Sequence, residues 1–204
     1  MRDTLLASLS LSPQSERIFY VWGEKGAGKS HLLQASCHDN NLGPSTYLPL
    51  KQLVELGPGI LEDIEQLSLI AIDDIEQVAG NALWEEALFH CYNKVLAQEK
   101  TRLLLAASLP LASLNIQLPD LRSRFSSAIV FHLNSLDETA CLALLKTRAH
   151  EQGLDIPEEV LAFLIRRFPR NPSQLLEIFE KLDIAAWKEQ HRLTIPFVKK
   201  TLAL

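Results

Sequence analysis

A chain of 204 residues with 47% hydrophobic and 22% charged side chains has room for one full core, or for one sheet domain with a helical appendage. A net charge of -5 and a pI near 5.7 give no reason for autonomous binding to DNA or to anionic membranes. Residues 1–133 carry 15 acids and 10 bases and residues 134–204 carry 10 of each, so the acidic excess lies in the first two thirds and the neutral remainder is not a basic DNA-reading domain.

Met1 to Pro13 has only a short apolar run and no cleavage pattern, so no signal peptide is expected. No apolar stretch approaches the ~18 residues of a membrane span. Cys37, Cys91 and Cys141 are widely spaced, odd in number and form no C-x-x-C pair. They read as reduced thiols of a cytoplasmic protein rather than as a disulfide framework or zinc site.

From Arg17 to Leu133, short apolar runs alternate with helical patterns. The first run, Ile18–Trp22, leads into Gly23 to Ser30 and then a helical pattern from His31 to Ser36. Thr46–Leu50 and Leu67–Ile72 follow, the latter ending in Asp73–Asp74. A helix is expected over Leu83–Leu96, with Leu83, Ala87, Leu88, Cys91, Tyr92, Val95 and Leu96 spaced three and four apart. Arg102–Ala107, the segment Leu118–Phe125 and the run Ala128–Leu133 complete this part. The five runs do not alternate, as expected of strands buried on both faces, and a βαβα order means an α/β fold with a parallel sheet between helices.

After Leu133 only helical signals remain. Ser135 with Glu138 suggests a capping box for a helix through Ala149, ending near Gly153. Pro157 fits the first turn of a helix to Phe168, and Asn171 before Pro172 caps a long one to about Gln190. Thr194 and Pro196 open a short terminal helix. The expected division is an α/β domain over 1–133 and a helical domain over 134–204.

Three segments carry chemistry. Gly23-Glu24-Lys25-Gly26-Ala27-Gly28-Lys29-Ser30 satisfies G-x-x-x-x-G-K-[ST] between a strand and a helix, the context a phosphate-binding P-loop requires. Its glycines let backbone N–H groups turn inward on an anion, and the helix N-terminus adds its dipole. Lys29 would reach the outer phosphates, and the Ser30 hydroxyl would ligate Mg²⁺. Asp73 and Asp74 end a buried strand at the sheet edge where ligands of open α/β sheets sit. Asp73 would hold the hydration shell of Mg²⁺, and Asp74 could orient or deprotonate an attacking water. Arg122 and Arg124, two apart, cannot share one helix face, and on spacing alone a pair of solvated arginines is the plainer reading.

The runs Trp22–Leu33, Ile70–Gly80 and Leu118–Phe125 together resemble the AAA+ domain of the DnaA family of bacterial replication initiators. Leu83-Trp84-Glu85 and Leu193–Lys199 are similar to the short Hda-type members in particular. The resemblance implies an AAA+ P-loop fold, a five-stranded parallel sheet with a C-terminal helical lid. It assigns Gly23, Gly26, Ala27, Gly28, Lys29, Ser30 and His31, with Arg170 of the lid, to ADP or ATP. It makes Arg124 an arginine finger acting in trans and Arg122 a supporting residue. Such regulators hold ADP, bind the sliding clamp on DNA and stimulate ATP hydrolysis by DnaA, which shuts initiation down. The family's clamp-binding segment has no counterpart in Met1 to Pro13. Ser108 and Leu109 replace the usual sensor-1 residues, and Ser173 stands where a sensor-2 arginine is aligned, with Arg170 three residues earlier. Altered sensors suggest poor hydrolysis in cis with nucleotide binding intact. A self-contained AAA+ ATPase resembling a helicase loader, acting through self-association, is the alternative, and an inert nucleotide-binding scaffold is a third.

The six histidines do not cluster and read as surface or satisfied core groups. Trp22 and Tyr47 could approach an adenine, although core packing is the simpler reading. Trp84, Phe179 and Trp187 are expected in the core.

Overall fold

The computed structural model describes residues 17–39, 42–98, 100–154, 156–168 and 172–204. Five strands, β1 (Ile18–Trp22), β2 (Ser45–Pro49), β3 (Leu69–Asp73), β4 (Arg102–Ala107) and β5 (Ile129–His132), form one sheet in the order β2-β3-β4-β1-β5. Every pairing is parallel. The helices of this part are α1 (Lys29–Cys37), the single turn α2 (Leu50–Leu53), α3 (Ala82–Ala97) and α4 (Pro119–Phe125). Then come α5 (Glu138–Glu151), α6 (Glu158–Arg167), α7 (Pro172–Glu189) and α8 (Ile195–Thr201). The chain divides into two compact units: one holds Lys29–Leu133 with the chain up to Glu24, the other Asn134–Leu204 with Lys25–Gly28.

In the first unit the two-residue period of the strands sorts side chains onto two faces. Tyr20, Ile70, Ile72, Leu103 and Leu105 meet Trp84, Leu88, Cys91, Tyr92 and Val95 of α3 and Leu121 and Phe125 of α4. On the other face Phe19, Val21, Leu69, Ala71, Leu104 and Ala106 pack on Leu32 and Leu33 of α1. The central strands β1, β3 and β4 are therefore apolar apart from Arg102 at the start of β4 and Asp73 at the end of β3. The edges differ from the sequence expectation of two-sided burial. All five residues of β2 are only half-buried, and β5 alternates, with Val130 49% exposed. Each edge strand has a single hydrogen-bonded neighbour, so the covering layer reaches it incompletely.

The apolar stripe of α3 is also shifted. Leu83 is exposed, whereas Glu85 is buried to 1% and takes the stripe position one turn before Leu88. Asn81 caps this helix, its side chain accepting from the Leu83 and Trp84 N–H groups.

In the second unit Cys141, Leu145 and Ala149 of α5 meet Leu161 and Ile165 of α6 and Leu175 and Phe179 of α7. Val160 and Leu164, on another side of α6, meet Leu182, Phe197 and Val198. Asp137, rather than the expected Ser135, caps α5, accepting from Ala140 N at 2.7 Å. Aspartate is an equally good acceptor in that place. Thr194 caps α8 as its sequence suggests. Trp187 corrects a further expectation, being 80% exposed while Trp84 and Phe179 are buried. The inward stripe of α7 runs Leu175, Phe179, Leu182 and on to Ala186, and the next residue is turned away by about 100°.

No disulfide joins Cys37, Cys91 or Cys141. Among the described residues no helix is long and apolar enough to cross a membrane.

Candidate functional site

The parallel register brings the C-terminal ends of β1, β3 and β4 to one edge of the sheet. From β1 the chain enters the P-loop. Gly23 needs its small side chain for space: a Cβ there would lie 2.2 Å from the carbonyl oxygen of Leu133. The adjoining Leu133 N–H donates to Trp22 O at 2.7 Å. Gly26 and Gly28 serve another purpose, with φ of 87° and 96°, in the left-handed region that side chains with a Cβ avoid. The loop then runs into the N-terminus of α1, whose first N–H groups lack intrahelical partners.

Lys29 is 7% exposed, and its Nζ donates to the carbonyls of Gly23 at 2.7 Å and Glu24 at 3.0 Å. Burial lowers its pKa, and the carboxylates of Glu76, Asp73 and Asp74 oppose that shift. The ammonium is thus tethered to the loop's own backbone and surrounded by three acids. Ser30 and His31 follow it on exposed positions of α1.

Asp73, the last residue of β3, is 1% exposed. Its Oδ1 accepts from Asp74 N at 2.9 Å and its Oδ2 from the Tyr47 hydroxyl at 2.9 Å. Tyr47 pairs with Ala71 in the β2–β3 register, so Asp73 is its diagonal neighbour, within reach of a long side chain. Desolvation and the adjacent carboxylate push the Tyr47 phenol up to about 12, while Ser30 and Gln34 act in the opposing sense. Asp74 adopts a left-handed backbone, φ 57° and ψ 44°, which aspartate tolerates better than most residues. Burial raises its pKa, with Asp73 and Glu76 adding to the effect.

Sequence reasoning gave no site role to Glu76 or Glu85 and read Tyr47 as core or an adenine neighbour. Glu76 Oε1 accepts from Ser108 N at 3.0 Å, beyond the end of β4. Its Oε2 is buried with no hydrogen-bond partner. An acid therefore does reach the altered sensor-1 position, from a neighbouring strand end. The sequence signal was present in Asp-Asp-Ile-Glu, three residues past Asp73. Tyr20 closes the same end by donating to Leu109 O at 2.6 Å.

The two arginines of α4 diverge. Arg122 turns back and donates to the Ile116 carbonyl. Arg124 is exposed, and among the described residues its side chain has no hydrogen bond or ion pair. The helix itself is firmly held. The buried Glu85 carboxylate accepts from Gly80 N at 2.7 Å, from Gln117 N at 3.0 Å and from Leu118 N at 2.6 Å. The Tyr92 hydroxyl donates to Arg124 O at 3.0 Å, and its ring lies 6.2 Å from that of Phe125. Neither arginine is among the charges that act on Lys29 or Asp74. Trp22 stacks on His132 at 3.9 Å. Arg170, together with the side chain of Ser173, lies outside the described residues.

Among the described residues no group of three or more His, Cys, Asp or Glu is gathered to hold a metal ion. Magnesium brought by a polyphosphate needs only one or two hard oxygen donors from the protein. The Ser30 hydroxyl and the Asp73 carboxylate, both adjoining Tyr47, are donors of that kind, and the residues present fit such an ion.

The Hda lid domain family matches residues 130–202. The chain is also similar to domain III of the replication initiation protein DnaA of Thermotoga maritima, at 21% identity and a TM-score of 0.82, over 98% of this chain and 89% of that one. AMPPCP-bound DnaA of Aquifex aeolicus aligns at 19% identity with a TM-score of 0.74, over 91% of this chain and 61% of that one. The RuvB Holliday junction branch migration motor of Thermotoga maritima aligns at 17% identity and 0.76, covering 99% and 67%. At these identities the structural likeness speaks for the fold alone, and the lid match supplies the narrower relation. Residues 130–202 thus match the Hda lid domain, and the fold is similar to that of DnaA domain III.

Proposed function

We propose that this protein is a nucleotide-bound regulator of replication initiation, holding ADP on its P-loop and using Arg124 to stimulate ATP hydrolysis by DnaA. The observation that carries the reading is the contrast within α4. Arg122 is consumed by its own chain, while Arg124 is presented to solvent from a helix anchored by Glu85 and Tyr92. An exposed guanidinium on a rigid support costs little reorganisation when it meets developing phosphate charge. In related NTPases such a finger is worth about 10³–10⁵ in rate.

Within the chain, backbone N–H groups of Gly26 to Lys29 would hold the phosphates, and Lys29 would exchange its loop carbonyls for phosphate oxygens. His31 would border the same nucleotide. Ser30 and Asp73 would hold a magnesium ion, which supplies charge neutralisation on the phosphates. Asp74 would be the group nearest to a water if this chain hydrolysed its own nucleotide. The DNA-loaded sliding clamp is the proposed platform for the encounter with DnaA, with the lid domain over 134–204 and the nucleotide domain over 1–133.

The test mixes the purified chain, loaded with ADP, with ATP-bound DnaA, clamp and DNA, and follows loss of ATP. Stimulation should vanish in Arg124→Ala, while ADP still raises the melting temperature of that variant. Strong hydrolysis by the chain alone, insensitive to DnaA, would instead support a self-contained ATPase resembling a helicase loader. Lys29→Ala should lose the ADP-dependent thermal shift.

A further inference from the structure

We propose that Tyr47 is a positioning residue that sets how much nucleotide binding depends on magnesium, by competing with the metal's hydration shell for Asp73. The inference rests on the nucleotide reading above and concerns a residue outside the phosphate loop. Tyr47 stands on the edge strand β2, one diagonal step from Asp73 in the register with β3. Its hydroxyl donates to Asp73 Oδ2 at 2.9 Å, while Oδ1 is taken by the N–H of Asp74 at 2.9 Å. Each oxygen of this carboxylate, itself only 1% exposed, therefore already accepts one hydrogen bond from the protein.

Ser30 and Gln34, one turn apart on α1, stand close enough to the same phenol to oppose the rise in its pKa. The hydroxyl of Tyr47 thus stands among the donors a magnesium ion would use, Ser30 on one side and Asp73 on the other. A phenol that gives its proton to Asp73 satisfies the carboxylate without a cation. A water of a bound metal must displace that O–H or share Oδ2 with it, and a hydrogen bond to an ionised acceptor is among the stronger ones a site contains. The result is a nucleotide site whose acid is already partnered before the metal arrives, so that the nucleotide is retained with a small metal contribution.

The test measures the affinity of the full chain for a fluorescent ADP, once in excess EDTA and once in excess magnesium chloride, and compares the ratio with that of Tyr47→Phe. Phenylalanine keeps the ring against its neighbours and removes only the hydroxyl. The wild-type ratio should be small, and the variant's larger by on the order of tenfold, the scale of one hydrogen bond to a charged group. Tyr47→Leu should shift the ratio in the same direction, so a folding defect in one variant leaves the other as a readout. An unchanged or smaller ratio in both overturns the inference, and would mean that Tyr47 only packs or assists the metal. Failure of the wild-type chain to bind ADP under either condition overturns the nucleotide reading, and this inference with it. A lost response to Arg124→Ala would touch only the action on DnaA.

Discussion

Gly23 and Gly28 stand five residues apart in one motif for different physical reasons, and the difference can be measured. At Gly23 the added methyl of alanine would strike the Leu133 carbonyl, a backbone atom with nowhere to move. At Gly28 nothing lies within 4 Å, and only the φ of 96° resists substitution. Gly23→Ala should therefore lower stability by about 1–3 kcal/mol through overpacking, and Gly28→Ala by about 1–2 kcal/mol through backbone strain. Urea denaturation of the two variants without nucleotide checks this, and a Gly23→Ala protein as stable as wild type would contradict the packing account. Cys91 gives a second residue-scale expectation. Burial pushes its thiol up to about 11, with Glu65 adding to the effect and Lys94 opposing it. A group whose pKa is raised on folding contributes stability in full below its ordinary value of 9.0 and loses it as pH rises toward about 11. Thermal stability should accordingly decline across that window. At about pH 8 iodoacetamide should leave Cys91 unmodified until denaturant is added; rapid labelling of the folded chain would show the site to be open.

Helix α4 is positioned by a side chain that does not belong to it. Glu85 accepts from three backbone N–H groups, those of Gly80, Gln117 and Leu118, and so fixes the turn from which α4 starts. Glu85→Ala would strand those donors, at ~1–3 kcal/mol for each left unsatisfied. The variant should be destabilised by about 3 kcal/mol or more and, under the proposed function, should lose stimulation of DnaA while retaining ADP binding. Intact stimulation would remove Glu85 from the account of Arg124. This is also where sequence reading stopped. β1 and β4 were legible to the residue because their runs are apolar without interruption and turn signals bound them. The P-loop and Asp73–Asp74 were legible because motif and predicted element coincide. Glu85 was not, since a glutamate beside an apolar stripe has the appearance of any solvated helical acid until Gly80, Gln117 and Leu118 are folded around it. Tyr47 was taken for core or an adenine neighbour because its hydrogen bond to Asp73 crosses strands 26 residues apart in sequence. Trp187 was expected in the core beside the aliphatics of α7, but its phase on the helix turns it outward.

Across the molecule, burial is distributed unevenly. Among the described residues β1, β3 and β4 are flanked by strands on both sides and sealed on both faces, whereas β2 and β5 each have a strand on one side only and partial cover. Native-state hydrogen exchange should show the slowest amides in the three central strands and faster exchange in β2 and β5, since local opening follows contact density. Equal protection across all five would argue against this sheet order. The division into Lys29–Leu133 and Asn134–Leu204 also gives each part apolar clusters of its own.

The placement of β1 has a consequence for how the protein is made. Of the five described strands it is the first to leave the ribosome, yet it is central, pairing Ile18 with Leu103 and Phe19 with Ile129. At translation speeds of about 5–20 residues per second, that strand waits on the order of ten seconds for its neighbours. The glycine loop it carries can take shape only once Leu133 has been synthesised. The earliest-made of the five strands is thus among the last to be enclosed, and a nascent chain stalled before β5 would leave the glycine loop without its Leu133 neighbour.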